Sequence, residues 1–288
     1  MKRKTVSELL LKTSEDCQMK AIDIYQRFLS VADWIDPERT VDKIIVGDPD
    51  TEVREVLVTW ISSFDAVRAA VERGCQMLIT HEPTFWEHAN EVQSAANWPP
   101  GSIIHEVGTR KKRFIEENGL VILRLHDIWD RLPEFGIPWA WAKFLGFGPK
   151  PAAIGEHGCQ HRYDTEPIAL DDLARRIAKK TATIGEPYVQ VVGDGARKVS
   201  KIGLGTGCIC HIHVYREMGC DVAVIVDDGT HYWRDIQLAA DDGYPIIRVN
   251  HGTAEEPGMV SLTQYVNDNF PGVQAEHLPH GSSFRLVG

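Results

Sequence analysis

The chain has 288 residues, 43% apolar and 25% charged, ordinary content for a globular protein of one large or two modest domains. A net charge of −10 argues against a sequence-independent nucleic-acid binder, which carries a basic face, and suits a site that neutralises part of its charge with divalent cations. Six scattered cysteines without a CxxC pair indicate neither a zinc knuckle nor a disulfide framework, and the close pair Cys208 and Cys210 reads as buried small residues.

Met1 to Lys12 starts with basic residues but has only a brief apolar run, too short for a signal sequence or a membrane span. An amphipathic helix and a cytoplasmic location are expected. Beyond it, apolar strands alternate with helical stretches, the sign of an α/β architecture. Val41 to Gly47 and Val53 to Thr59 read as neighbouring strands joined by the turn residues Gly47 to Asp50. Asp65 to Arg73 reads as a helix, with Val67, Ala70 and Val71 on one face and Gly74 placed to end it.

The stretch from Cys75 to Phe85 is the most informative. An apolar strand stops abruptly at His81 and Glu82, and Pro83 keeps the chain extended through the pair. Neighbouring side chains on an extended backbone point to opposite sides. His81 and Glu82 therefore serve two metal ions, or one binds and the other orients. Arg110 to Asn118 is a second helix, and the strand opening at Gly119 runs into His126, Asp127 and Asp130. Trp139 to Phe147 reads as a third helix, and Gly148 to Pro151 marks a boundary.

Leu170 to Lys180 has helical spacing and a cationic face that is simplest as a solvated one. Lys201 to Gly207 is a strand running into glycines; without the Gly-x-Gly-x-x-Gly spacing, close backbone packing explains them as well as a phosphate cradle. A helix over His211 to Met218 follows, with His211 and His213 read as structural, then a strand over Val222 to Val226. Asp227 to His231 lies at a further strand end, before a helix over Asp235 to Asp242. The last apolar strand, from Tyr244, leads to His251 and Glu255. A helix starting after Asn250 puts this i,i+4 pair on one face, within reach of a single metal site. Three strand ends thus present a histidine with carboxylates, and in open α/β sheets ligands gather beyond the carboxyl ends of strands.

In order and spacing these segments resemble the Nif-three-like family, also described as GTP cyclohydrolase type 2-like or dinuclear-metal-centre proteins. Its His-His-Pro strand end is matched by His81-Glu82-Pro83, its His-Thr-Asn-x-Asp by His126 to Asp130, and its Gly-His-x-x-Ser-Glu by Asn250 to Glu255. Further similarity runs through Val67 to Cys75, Val191 to Ile202 and Asp221 to Gly229. The chain departs from the pattern at Glu82, where the family has histidine, and at Asp127 and Ile128, where it has Thr-Asn.

The resemblance implies two similar α/β lobes with mixed sheets and a metal site at strand ends between them. An N-terminal lobe is expected over 1–147, a connecting segment over 148–190 and a C-terminal lobe over 191–288. The implied site holds two divalent metal ions, with Asp130 bridging, His81, Glu82, His251 and Glu255 completing the coordination, and His126 ligating or standing behind. Glu82 makes the set richer in oxygen, which moves preference from zinc toward manganese, iron or magnesium, with zinc still available; alternatively Glu82 drops out and a single ion is held. The implied activity is hydrolysis of a small nucleotide-like or phosphorylated substrate, with His126 or His231 as proton donor. Opening of the guanine ring of GTP is one version. The alternative is a non-enzymatic metal-binding scaffold or metal-delivery protein. Homo-oligomers, rings among them, are implied, and neither membrane nor nucleic acid is an expected partner.

Overall fold

The structure, a computed structural model, describes residues 19–209, 211–284 and 287. The helix expected over 1–12 and Cys210 lie outside them. Strand β1 (Met19–Lys20) leads into α1 (Ala21–Ser30) and β2 (Lys43–Val46). A short β3 (Glu52–Val53) pairs antiparallel with β1. Next come β4 (Glu55–Ile61), α2 (Phe64–Glu72), β5 (Met77–Glu82), α3 (Glu91–Ala96), α4 (Ile103–Glu117), β6 (Val121–Arg124), α5 (Asp127–Arg131) and α6 (Ile137–Leu145). In the first sheet β4, β5 and β6 run parallel, and β2 joins the β6 edge antiparallel.

The sequence expectation that the strands near 41–47 and 53–59 are neighbours is corrected here: β2 pairs with β6, and β5 and β6 separate it from β4. The turn at Gly47 to Asp50 instead feeds β3 onto β1. Central β5 is apolar without alternation because both of its faces are covered. Met77 and Ile79 pack toward α1 and the C-terminal helix, and Leu78 packs toward α2 and α4.

The second sheet is built from β7 (Ala153–Ile154), β8 (Gln160–Ala169), β9 (Gln190–Val192), β10 (Lys198–Gly205), β11 (Val222–Val226) and β12 (Ile246–Val249), in the spatial order β7-β8-β10-β11-β12-β9. Strands β10, β11 and β12 are parallel, with β8 and β9 antiparallel on their flanks. Its helices are α7 (Leu170–Thr181), α8 (Ile212–Glu217) and α9 (Gln237–Asp242). Residues 153–169, within the stretch read as a connecting segment, thus supply two strands of this sheet.

The final helix, α10 (His251–Asn269), leaves β12 of the second sheet and packs on α6 and β4 of the first. Strand β13 (Gln274–His277), not foreseen, then closes the first sheet beside β4. The Asn250 side chain caps α10 by accepting from the Thr253 N–H at 3.4 Å. Buried along its length, α10 joins Met259 and Leu262 to the first core and Ala254 to the second. Helix α6 does the same with Ile137 and Trp141. The two mixed sheets therefore share a helical layer, and the start of α10 stands between their strand ends. Among the described residues no helix is long and apolar enough to cross a membrane.

Candidate metal centre

The carboxyl ends of β5, β6, β11 and β12 open into one cleft of about 600 Å³, lined by Glu82, His126, Asp130, Asp228, His251 and Glu255 among others. His81, next to last in β5, is fully buried. Its Nδ1 faces the Leu125 carbonyl at 3.2 Å, and its Nε2 faces Glu255 Oε2 at 3.3 Å and Asp130 Oδ1 at 3.6 Å. His126 follows β6 with Nδ1 at 3.0 Å from Asp127 Oδ1 and 3.4 Å from Asp130 Oδ2. On the first turn of α10, His251 Nε2 lies 3.0 Å from Glu255 Oε1 and 3.7 Å from Glu82 Oε1, so the i,i+4 pair meets as its spacing implies. Its Nδ1 faces Asp228 Oδ2 at 3.2 Å.

The three rings share one polarity. Each Nδ1 is backed by an oxygen that can only accept, which places a proton there, and at His81 and His251 this turns Nε2 toward carboxylates. His81 Nε2 and His251 Nε2 are buried without a hydrogen bond of good geometry. Orphaned inward nitrogens facing carboxylate oxygens at 3.0 to 3.7 Å are what a cation-binding donor set requires. His81, His126 and Asp130 converge as one group, and His81, Glu82 and Glu255 as another. Glu255 touches both histidines, its Oε2 toward His81 and its Oε1 toward His251. Trp60 Nε1 holds that carboxylate by donating to Oε2 at 2.8 Å. The residues fit a divalent-cation site, with the Glu255 carboxylate facing both His81 and His251.

Electrostatics agree with the donor set. Burial opposes charge on His81, yet Glu255 and Asp130 outweigh it and raise its pKa to about 9. Burial likewise works against His251, which Glu255 and Asp228 carry up to about 11. For Asp130, burial raises the carboxyl to about 8 against the pull of His81, with Glu255 adding to the rise. Burial would raise Glu255 too, but His251 and His81 hold it well below the carboxylate range. Burial, reinforced by His81, lowers His126 to about 3, so it stays neutral and able to ligate. Without a cation, this site balances its carboxylates with protons.

The glycine turn after β10 packs against this cluster: Gly207, at φ 72°, leaves room where a Cβ would meet Glu255 Oε1 at 3.5 Å and His251 Nε2 at 3.9 Å. Gly203 packs against Tyr215, where a Cβ would come within 2.5 Å of the ring. The expectation that Cys208 is buried is corrected, since it is exposed and lines the cleft. His231 is not brought to the site. It stands exposed ahead of the turn Tyr232–Ile236, its N–H donating to Asp235 Oδ2 at 2.8 Å, and it does not line the cleft.

Several contributors escaped the sequence reading. Asp228 and Trp60 are defined only by contacts across the fold. Asp42 accepts from the His126 and Ile128 N–H groups and so caps α5. His88, in the loop after β5, shares a group with Glu82 and His126 whose ligand atoms lie within 4.8 Å of one another. A histidine seven residues after His81 carries no spacing signal.

The Duf34/NIF3 (NGG1p interacting factor 3) family model matches residues 19–280. A GTP cyclohydrolase 1 type 2 homolog of Chlamydia pneumoniae is 22% identical over 235 residues, 78% of this chain and 84% of the relative. Among solved structures, a hypothetical protein of Staphylococcus aureus is similar with TM-score 0.74 at 19% identity, over 93% of this chain and 99% of that one. Reduced HcgD from Methanocaldococcus jannaschii is similar with TM-score 0.67 at 18% identity, over 92% and 99%. At these identities the structural likeness speaks for the fold.

Proposed function

We propose that this chain, which belongs to the Duf34/NIF3 family, is a metal-dependent hydrolase holding two divalent cations and acting on a small nucleotide-like or phosphorylated substrate. The observation that carries the reading is the polarity of His81 and His251, each backed at Nδ1 and turned toward carboxylates at Nε2, with His126 and Asp130 converging beside His81. One cation would be held by His81, His126 and Asp130, the other by Glu82 and His251, with Glu255 between them. Manganese, iron and zinc all suit this mixed oxygen and nitrogen set.

Bound cations supply Lewis acidity toward a phosphoryl or carbonyl oxygen and lower the pKa of water. The chain does the rest. Asp127, Asp228 and the Leu125 carbonyl fix the ring orientations, and Trp60 fixes the Glu255 carboxylate. Arg131, a guanidinium lining the cleft, is placed to take a substrate phosphate. His126, neutral near pH 7 and pinned by Asp127, suits ligation better than proton donation.

Metal-loaded protein assayed against nucleotides and phosphodiesters tests the reading. Hydrolysis that a chelator abolishes, and that Asp130→Asn loses, is expected. Stable metal binding with no hydrolysis of either class would favour the non-enzymatic metal-binding protein instead.

A further inference from the structure

We propose that the loop from Pro83 to Asn90 is the substrate-reading wall of the cleft: the Trp86 ring stacks on a planar heterocycle, and His88 donates an N–H to an acceptor on it. This rests on the hydrolase reading above and narrows its substrate to one carrying an aromatic ring beside the reacting group.

His88 could be taken for another ligand, since it groups with Glu82 and His126. What stands behind its ring says otherwise. Arg124 Nη2 lies 3.0 Å from His88 Nδ1, and a guanidinium can only donate. Nδ1 must therefore be the bare nitrogen, and the proton of the neutral ring sits on Nε2. A neutral imidazole that ligates through Nε2 carries its proton on Nδ1, the arrangement found at His81, His126 and His251. His88 is inverted relative to those three: it offers the cleft a donor where they offer lone pairs.

Trp86 lines the same cleft at 46% exposure, in a left-handed backbone conformation with φ 63°. A bulky residue there is an outlier that persists only where its surroundings enforce it. They do so here through buried groups. Lys111 stands 4.7 Å over the Trp86 ring and donates to the Thr84 and Ser62 carbonyls at 2.7 and 2.8 Å. Arg124 donates to the His81 and His88 carbonyls at 3.2 and 2.7 Å, and Glu91 accepts from the Phe85 N–H at 2.6 Å. An exposed aromatic face and an N–H donor are thus held rigidly beside the metal ligands. Stacking recognises any planar base, and the donor asks for a ring acceptor such as a carbonyl oxygen.

Two experiments decide it. Long-range nitrogen–proton NMR correlation of the histidine rings should find His88 in the Nε2–H form in both metal-free and zinc-loaded protein. An Nδ1–H form, or a zinc-bound shift at His88, overturns the donor role whether or not the hydrolase reading survives. Calorimetry on zinc-loaded protein should find guanosine 5′-monophosphate bound at least about tenfold tighter than ribose 5-phosphate, the gain expected from one stacked base. Trp86→Ala and His88→Leu should each erase most of that difference while leaving ribose 5-phosphate affinity and zinc content unchanged, and His88→Gln, which keeps an N–H donor, should retain it. Equal affinity for the two probes in wild-type protein that holds zinc overturns this proposal alone. Failure of the wild type to hold zinc counts against the hydrolase reading, with the tautomer still deciding the role of His88.

Discussion

Replacing Asp228 with alanine removes one contact from the proposed centre and leaves the fold alone. Its carboxylate accepts from His251 Nδ1 at 3.2 Å, and that hydrogen bond holds the acid below its ordinary pKa. Partners behind metal-binding histidines are typically worth 10–100-fold, roughly, in metal affinity. The Asp228 side chain is 63% exposed. Water replaces much of what an exposed acceptor supplies, which puts this variant at the lower end, about tenfold or about 1.4 kcal/mol. Asp127 is the more enclosed counterpart behind His126 and also accepts from Thr40 Oγ1 at 2.9 Å and Val41 N–H at 3.3 Å. Its alanine variant belongs at the upper end, about 100-fold. Competition of zinc or manganese between each variant and a chromophoric chelator reads these ratios. In metal-free protein the Asp228→Ala melting temperature should stay within about 2 °C of wild type, because an exposed substitution changes stability by less than about 0.5 kcal/mol. Unchanged metal affinity in both variants would refute the orientation argument, and a lower affinity matched by a large drop in melting temperature would show damage to the fold instead.

Metal uptake should release protons and strengthen with pH. Without a cation, Asp130 is raised to about 8, His81 to about 9 and His251 to about 11, so all three hold protons at pH 7 that a cation must displace. Affinity should climb steeply with pH up to about 8, less steeply above about 9, and level off only near about 11, and calorimetry in buffers of different ionisation enthalpy should find net proton release; a pH-independent affinity contradicts this. Arg124→Met leaves Glu91 buried without the guanidinium 3.7 Å away and should cost about 3–5 kcal/mol in urea unfolding. Gly258→Ala places a methyl 2.5 Å from Ile137 Cγ1 where α10 crosses α6, and should cost about 1–3 kcal/mol by the same assay.

Much of the site was legible because its ligands follow apolar strands. The run ending at His81, the Asn250 cap and the His251/Glu255 spacing are local signals, and each gives the element it implies. Pairing was less legible. A turn at Gly47 to Asp50 looks like a link between neighbours, but β2 finds its place beside β6 through contacts that sequence distance hides. Strand β8 starts on the buried polar Gln160 and mixes Arg162, Asp164 and Glu166 into its half-exposed remainder, and so lacks the apolar run by which the central strands are read. The polarity of the histidines was not readable at all. What distinguishes His88 from His126 is whether a guanidinium or a carboxylate stands behind the ring, and Arg124 reaches His88 from 36 positions along the chain.

Anomalous diffraction from crystals of the protein grown with manganese tests the two-cation centre most directly. The account predicts two peaks about 3.5–4 Å apart, one among His81, His126 and Asp130, the other beside Glu82 and His251, with Glu255 reaching both. No peak in the cleft, or manganese bound only by residues outside this set, would contradict it.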